Sequence, residues 1–270
     1  MKKALALALV ALPVSLFAAD PPAHIDISKL PSQAKMIDEV VVPLPSEVFG
    51  VLDRLGARPA WSTVQRPING VVQPTGDSPQ IALMLGAVIA EGFIAVEAED
   101  AVQVKQIGKS VLNLATPLGV GAEVKKRAQA ITDSADKKDW VDVRKELDGA
   151  LDDVKTAMAK LNSEALSQLV SLGGWIRGTE ALTAVVGKSY TKDGAELLHQ
   201  PVLLDYFEKR LAALKPKYKV NPLITRVQKG VLEIRPLIGL TEDVDISEKS
   251  VQEINRITSD LIKSINSKAP

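Results

Sequence analysis

The chain of 270 residues carries 33 basic and 33 acidic side chains, 46% hydrophobic residues, 4% aromatics and no cysteine. A balanced charge leaves no electrostatic footprint for nucleic acid or an anionic lipid surface, and so few aromatics supply few stacking platforms for bases or sugars. Without cysteine there is neither a disulfide framework nor a C-x-x-C-H haem attachment, so packing alone must hold the fold.

The chain opens MKKALALALVALPVSLFAAD, in which Lys2 and Lys3 precede an apolar run from Ala4 to about Ala18 and small residues stand before Asp20. That run is shorter than the roughly 20 residues a spanning helix needs. Residues 1–19 therefore read as a bacterial secretory signal peptide, cut after Ala18 or Ala19, with the periplasm as destination. No cysteine follows the apolar run, which excludes a lipid-modified cysteine anchor. Loss of Lys2 and Lys3 leaves a mature charge of about −2, and about 250 residues remain, enough for one large core or two small ones.

Residues 20–45, DPPAHIDISKLPSQAKMIDEVVVPLP, are interrupted by proline throughout, and their one strand-like run is broken twice. They read as an extended arm. Ser46 is an N-cap candidate for a short helix carrying Val48, Val51, Leu52 and Leu55, stopped by Gly56 and Pro59. From about Ala60 to Pro79, Asn-Gly, Thr-Gly-Asp and several prolines predict a long surface loop.

Gln80 to Ala115 reads as one long helix, apolar on every face at first and amphipathic after Glu97, as suits a central helix whose first half is surrounded. Glu91 and the group Glu97, Glu99 and Asp100 interrupt it too soon for a membrane span. After a break at Pro117 to Gly121, Val124, Ala128 and Ile131 mark another helix. Trp140, Val143, Leu147, Leu151, Val154, Met158 and Leu161 then recur every three or four residues, a core seam among charged faces. Ser163, after Asn162, restarts a helix that runs to about Gly187, so a tight helical hairpin is expected. The remainder predicts a helix reset at Pro201, one with Asn221 as N-cap and Pro222 at its first position, and a last one with Val251, Ile254, Ile257, Leu261 and Ile265 on one face. No repeat of 20 to 50 residues is present. The expected fold is all-α: a bundle of about seven helices in a single domain, residues 46–270, behind the extended N-terminal arm.

Catalytic signatures are sparse. His24 and His199 lack partners at metal-ligand spacing, and there is no G-x-S-x-G elbow, Walker A loop or G-x-G-x-x-G. Glu97, Glu99 and Asp100 read as the start of the exposed half of the long helix, without the spacing of a calcium loop. No metal and no cofactor is expected.

One stretch stands out. LVSLGGWIRGTEAL, Leu169 to Leu182, sets an arginine and a glutamate in an apolar, glycine-containing helix. On a helix Arg177 shares its face with Val170, Gly173, Gly174, Ala181 and Ala184, which has almost no side-chain bulk, so another helix can approach closely. Glu91 sits on a similar face with Ala87, Val88, Ala95 and Ala98. The two helices are expected to cross with Arg177 bonded to Glu91 and with Glu180 as second partner, a buried structural pair. The alternative is a pocket for a small anionic ligand, or a weak enzyme site, lined by Glu91, Arg177, Thr179 and Glu180 with Trp175 as a wall. A cavity of about 300 Å³ or more beside these residues separates the two. The expected function is that of an exported, non-catalytic binding or interaction module of the bacterial cell envelope. Its partner is a protein or small molecule of unknown identity, with no nucleic acid and no stable membrane span after signal cleavage. The apolar faces of the first and last helices leave homo-oligomerisation open.

Overall fold

The computed structural model describes the backbone at Met36–Ile37 and Val40–Val41, and residues 61–239 and 245–267. The signal peptide, His24, most of the arm and the helix expected from Ser46 lie outside the described residues. Among the described residues the chain is a helical bundle, and the only strand pairing is two residues against two, Met36 opposite Val41 and Ile37 opposite Val40. The helices are α1 (Ser78–Glu97), α2 (Ala101–Ala115), α3 (Gly121–Asp136), α4 (Trp140–Lys160), α5 (Glu164–Lys188), α6 (Lys192–Glu196), α7 (Pro201–Ala212), α8 (Pro216–Lys219), α9 (Pro222–Ile234) and α10 (Glu248–Asn266). Eight of them have twelve residues or more, and α6 and α8 are single turns.

The single long helix expected over Gln80 to Ala115 is two helices. Glu99 adopts a left-handed conformation, φ 54°, and the Asp100 amide reaches back to the Ala95 carbonyl at 2.9 Å. Asp100 then caps α2 by accepting the Gln103 amide at 3.0 Å. Such a six-to-one closure ends a helix whatever its hydrophobic pattern. The same device recurs at Lys138, where Asp139 bonds to Ser134, and at Asn162, where Ser163 bonds to Met158. Gly119 serves the turn between α2 and α3, with Val120 bonded to Ala115. Four turns of one design thus fold α1 to α5 back on one another. Ser163 begins α5 as expected, but its hydroxyl bonds to the Leu161 carbonyl and does not cap the helix.

Each helix buries the stripe its spacing predicts. On α4, Val143, Leu147, Leu151, Val154 and Met158 are buried, whereas Leu161, beyond the last turn, is 52% exposed. On α10, Val251, Ile254, Ile257, Leu261 and Ile265 are all buried. Asn221 caps α9 through the amides of Leu223 and Ile224, and its own amide bonds to Asp77, the N-cap of α1. Two helix starts are thereby locked together. His199 bonds through Nδ1 to the Ile238 carbonyl at 2.9 Å, just before the reset at Pro201.

Helix α1 is the axis of the bundle, in contact with α2, α4, α5 and α10. It has the length and hydropathy of a membrane span, and its residues from Pro79 to Val96 are all buried by its neighbours. It meets α5 at closest range where Gly86 faces the Val170 and Gly174 backbone and Gly173 faces Leu83; a Cβ on either Gly86 or Gly173 would collide with a carbonyl oxygen opposite. Gly178, by contrast, faces open space.

Candidate functional site

The α1–α5 crossing sets the geometry of the polar centre. With backbones this close, Glu91 on α1 and Arg177 and Glu180 one turn apart on α5 are brought together inside the bundle. Arg177 Nε bonds to Glu91 Oε2 at 2.7 Å and Nη1 to Glu180 Oε2 at 3.2 Å. Its Nη2 bonds to the carbonyl of Val64 at 2.6 Å. Arg177 is 2% exposed, so all three of its nitrogens are spent on protein acceptors away from water.

Val64 belongs to the segment between the 3₁₀ turn Trp61–Thr63 and α1, which was expected to be a surface loop. It does run along the surface, but as a strap laid over the bundle, with Trp61 and Val64 buried. Its backbone polar groups are satisfied by bundle side chains: the Arg66 amide by Glu91 Oε1 at 2.7 Å, the Ile68 amide by Gln103 at 2.7 Å and the Val72 amide by Ser110 at 3.0 Å. Asn113 donates to the Val72 carbonyl at 2.8 Å. An irregular segment can lie on a core only when its amides and carbonyls are paired in this way.

The Arg66 side chain completes a four-membered ion network. Its Nε lies 3.1 Å from both oxygens of Glu180, and its Nη2 also bonds to Glu180. Ser259 on α10 donates to Glu180 Oε1 at 2.6 Å. Two arginines and two glutamates balance in charge, as burial demands. Burial pushes the Glu91 carboxyl above its ordinary range, opposed by Arg177 and by the Arg66 amide. Hydrogen bonding to Glu180 holds the Arg66 guanidinium further up from its ordinary value.

Beside the network opens a cleft of about 430 Å³, between the strap, the Met84, Ala87, Val88 and Glu91 face of α1, and Ile262 and Asn266 of α10. Arg66 lines it with a side chain 40% exposed, and its Nη1 donates to no protein atom among the described residues. A broader trough of about 1000 Å³ lies between α9, α10 and the start of α1. Of its charged groups, Lys229 pairs with Glu233 and Arg256 with Asp260 along their own helices.

Of the residues singled out in the sequence, Glu91, Arg177 and Glu180 meet as expected. Thr179 is buried, with its carbonyl taken by Thr183, and does not line the cleft. Trp175 points away to α7, where Nε1 donates to Gln200 at 3.0 Å and the indole packs on Phe207 with centroids 5.5 Å apart. It is no wall of this site. Glu97 does not begin an exposed face: its side chain is 7% exposed and bonded to Arg144 at 2.7 Å. The sequence reading passed over Arg66 and Ser259. Arg66 lies among turn residues and Ser259 on a polar helix face, so neither breaks a periodic pattern. Glu91, Arg177 and Glu180 are bonded to one another, and the cleft beside them has room for a small molecule. The chain matches no family model, no curated protein and no solved structure.

Proposed function

We propose that the chain is an exported binding module of the bacterial cell envelope, residing in the periplasm, which holds a small molecule in the cleft beneath the strap and does not transform it. One observation carries the reading: a cleft of about 430 Å³ adjoins the buried Glu91, Arg177 and Glu180, whose charged groups are already engaged with one another. Volumes of about 300–1,000 Å³ with an apolar floor and a few polar groups suit small ligands. The buried pairs give a rigid wall in which every Arg177 nitrogen already has a protein partner. The leader-like residues 1–19 support export.

Native mass spectrometry of the mature protein, purified from its own periplasm and compared with its denatured mass, tests this reading. The expected result is an N-terminus at Ala19 or Asp20 and a reproducible extra mass lost on denaturation. A bare chain on repeated preparation would overturn the small-molecule reading, and a bare oligomer would favour an envelope scaffold.

A further inference from the structure

Among the charged groups that line the cleft, Arg66 has a guanidinium nitrogen without a protein partner among the described residues. Arg177 and Glu91 line it but are buried, and each of their side-chain nitrogens and oxygens already has a protein partner. Arg66 is half-exposed, spends Nε and Nη2 on Glu180, and keeps Nη1. Asn266 lines the same cleft with a side-chain amide that makes no hydrogen bond among the described residues. Across from these polar groups the floor is aliphatic: Met84, Ala87 and Val88, one turn apart on α1, with Ile262 of α10. A polar head and an aliphatic body are thus both provided for.

Charge limits the head. A group bound at Arg66 lies near Glu180, which shares the same guanidinium, and near Glu91. One negative charge is met by a charge-assisted hydrogen bond. A second would stand unpaired beside two carboxylates, and like charges brought close are costly in a partly buried site. An ammonium head would face the guanidinium and be repelled.

Resting on the binding reading above, we propose that the cleft takes an aliphatic monocarboxylate, its head on Arg66 Nη1 and the Asn266 amide and its chain along Met84, Ala87, Val88 and Ile262. Arg66 is the anchor in place of Arg177. The strap is then the wall that sets how long a chain fits.

Titration calorimetry of the mature chain with octanoate, octanol, octylamine and octyl phosphate tests the class. Octanoate is expected to bind about tenfold or more tightly than octanol, the worth of a charge-assisted hydrogen bond over a neutral one. Octylamine is expected not to bind, and octyl phosphate to bind more weakly than octanoate. Asn266 is exposed and outside the ion network, so Asn266→Trp fills the cleft mouth with the fold intact and abolishes octanoate binding. Arg66→Met lowers octanoate to the level of octanol. Should that variant not fold, Arg66→Lys keeps a charge for Glu180, loses the forked donor, and binds octanoate about tenfold more weakly. Equal binding of octanol or octylamine, tighter binding of octyl phosphate, or octanoate binding untouched by Asn266→Trp overturns the proposal. If octanoate fails while the periplasmic protein carries an adduct, the ligand class is wrong and the binding reading stands. If neither is seen, both fall.

Discussion

Arg177 shows why a buried charge is tolerated here, because each of its nitrogens has an acceptor and each acceptor has its own role. Removing one member leaves the others exposed to an apolar interior. Glu91→Ala is expected to cost about 3–5 kcal/mol in urea unfolding, since it strands part of Arg177 and the Arg66 amide. For an isolated pair, replacing Glu91 and Arg177 together by Met is nearly neutral. Here it is not, because the Val64 carbonyl and Arg66 amide also lose partners, each worth about 1–3 kcal/mol when left buried. The double variant should therefore be less destabilised than the two singles summed, yet clearly less stable than the native chain. A fully neutral double would show that the strap does not depend on the pair. The pH dependence follows from Glu91, whose carboxyl burial raises above the ordinary value of 4.5. A folded-state value raised in this way contributes stability that is complete below the unfolded value and is lost as pH rises through the folded one. The stability of the native chain relative to Glu91→Gln should thus fall as pH climbs from about 4.5. A difference that grows with pH would mean that Arg177 outweighs burial. Glu91 and Arg177 were legible because each is a lone charge on a face of small residues. Arg66 was not, because turn residues carry no periodicity against which a charge can stand out.

At the scale of the helix, glycines with one appearance in the sequence have opposite roles. A Cβ on Gly173 would strike the Leu83 backbone, which cannot move aside as a side-chain tip can. Gly173→Ala is expected to cost about 3 kcal/mol, the upper end for overpacking. Gly178, on the same helix with open space around it, should become more stable by about 0.5–1 kcal/mol as Ala, from helix propensity alone. Thermal unfolding of the two variants separates them, and equal effects would contradict the close crossing. The turns explain what periodicity could not show. Glu99, Lys138 and Asn162 end their helices in left-handed conformations usually given to glycine, so the pattern ran on through Glu99 and one long helix was expected where there are two. Asp100 was read as a surface acid although it caps α2. Lys138 is exposed, and Lys138→Gly should stabilise the chain by about 1 kcal/mol by relieving the left-handed strain. The amphipathic helices α4, α9 and α10 were legible because burial on one face is enough to specify them.

For the molecule as a whole, the strap decides whether the bundle is a closed solid or a container. It has almost no secondary structure of its own and is held through side chains: Glu91, Gln103, Ser110 and Asn113 take or give its backbone hydrogen bonds. Three of these lie along α2 at Gln103, Ser110 and Asn113, so the helix presents a row of polar groups where a neighbouring strand would present its backbone. In the sequence that row looks like an ordinary solvated face, and the strap looks like an ordinary loop. Each bond contributes only about 0.5–1.5 kcal/mol net, so the strap should open locally at free energies well below global unfolding. Gln103→Met removes the acceptor of the Ile68 amide and touches nothing in the ion network. If the strap opens as a unit, the Val72 amide, still opposite Ser110, should exchange hydrogen about three to ten times faster in this variant, while amides in the middle of α1 and α5 keep their rates. Acceleration confined to Ile68 would mean that the bonds open one at a time, and the strap could not then act as a single gate to the cleft. Equal acceleration in α1 and α5 would mean that strap and bundle unfold together, and a ligand would have to enter through the mouth at Asn266 with the strap in place.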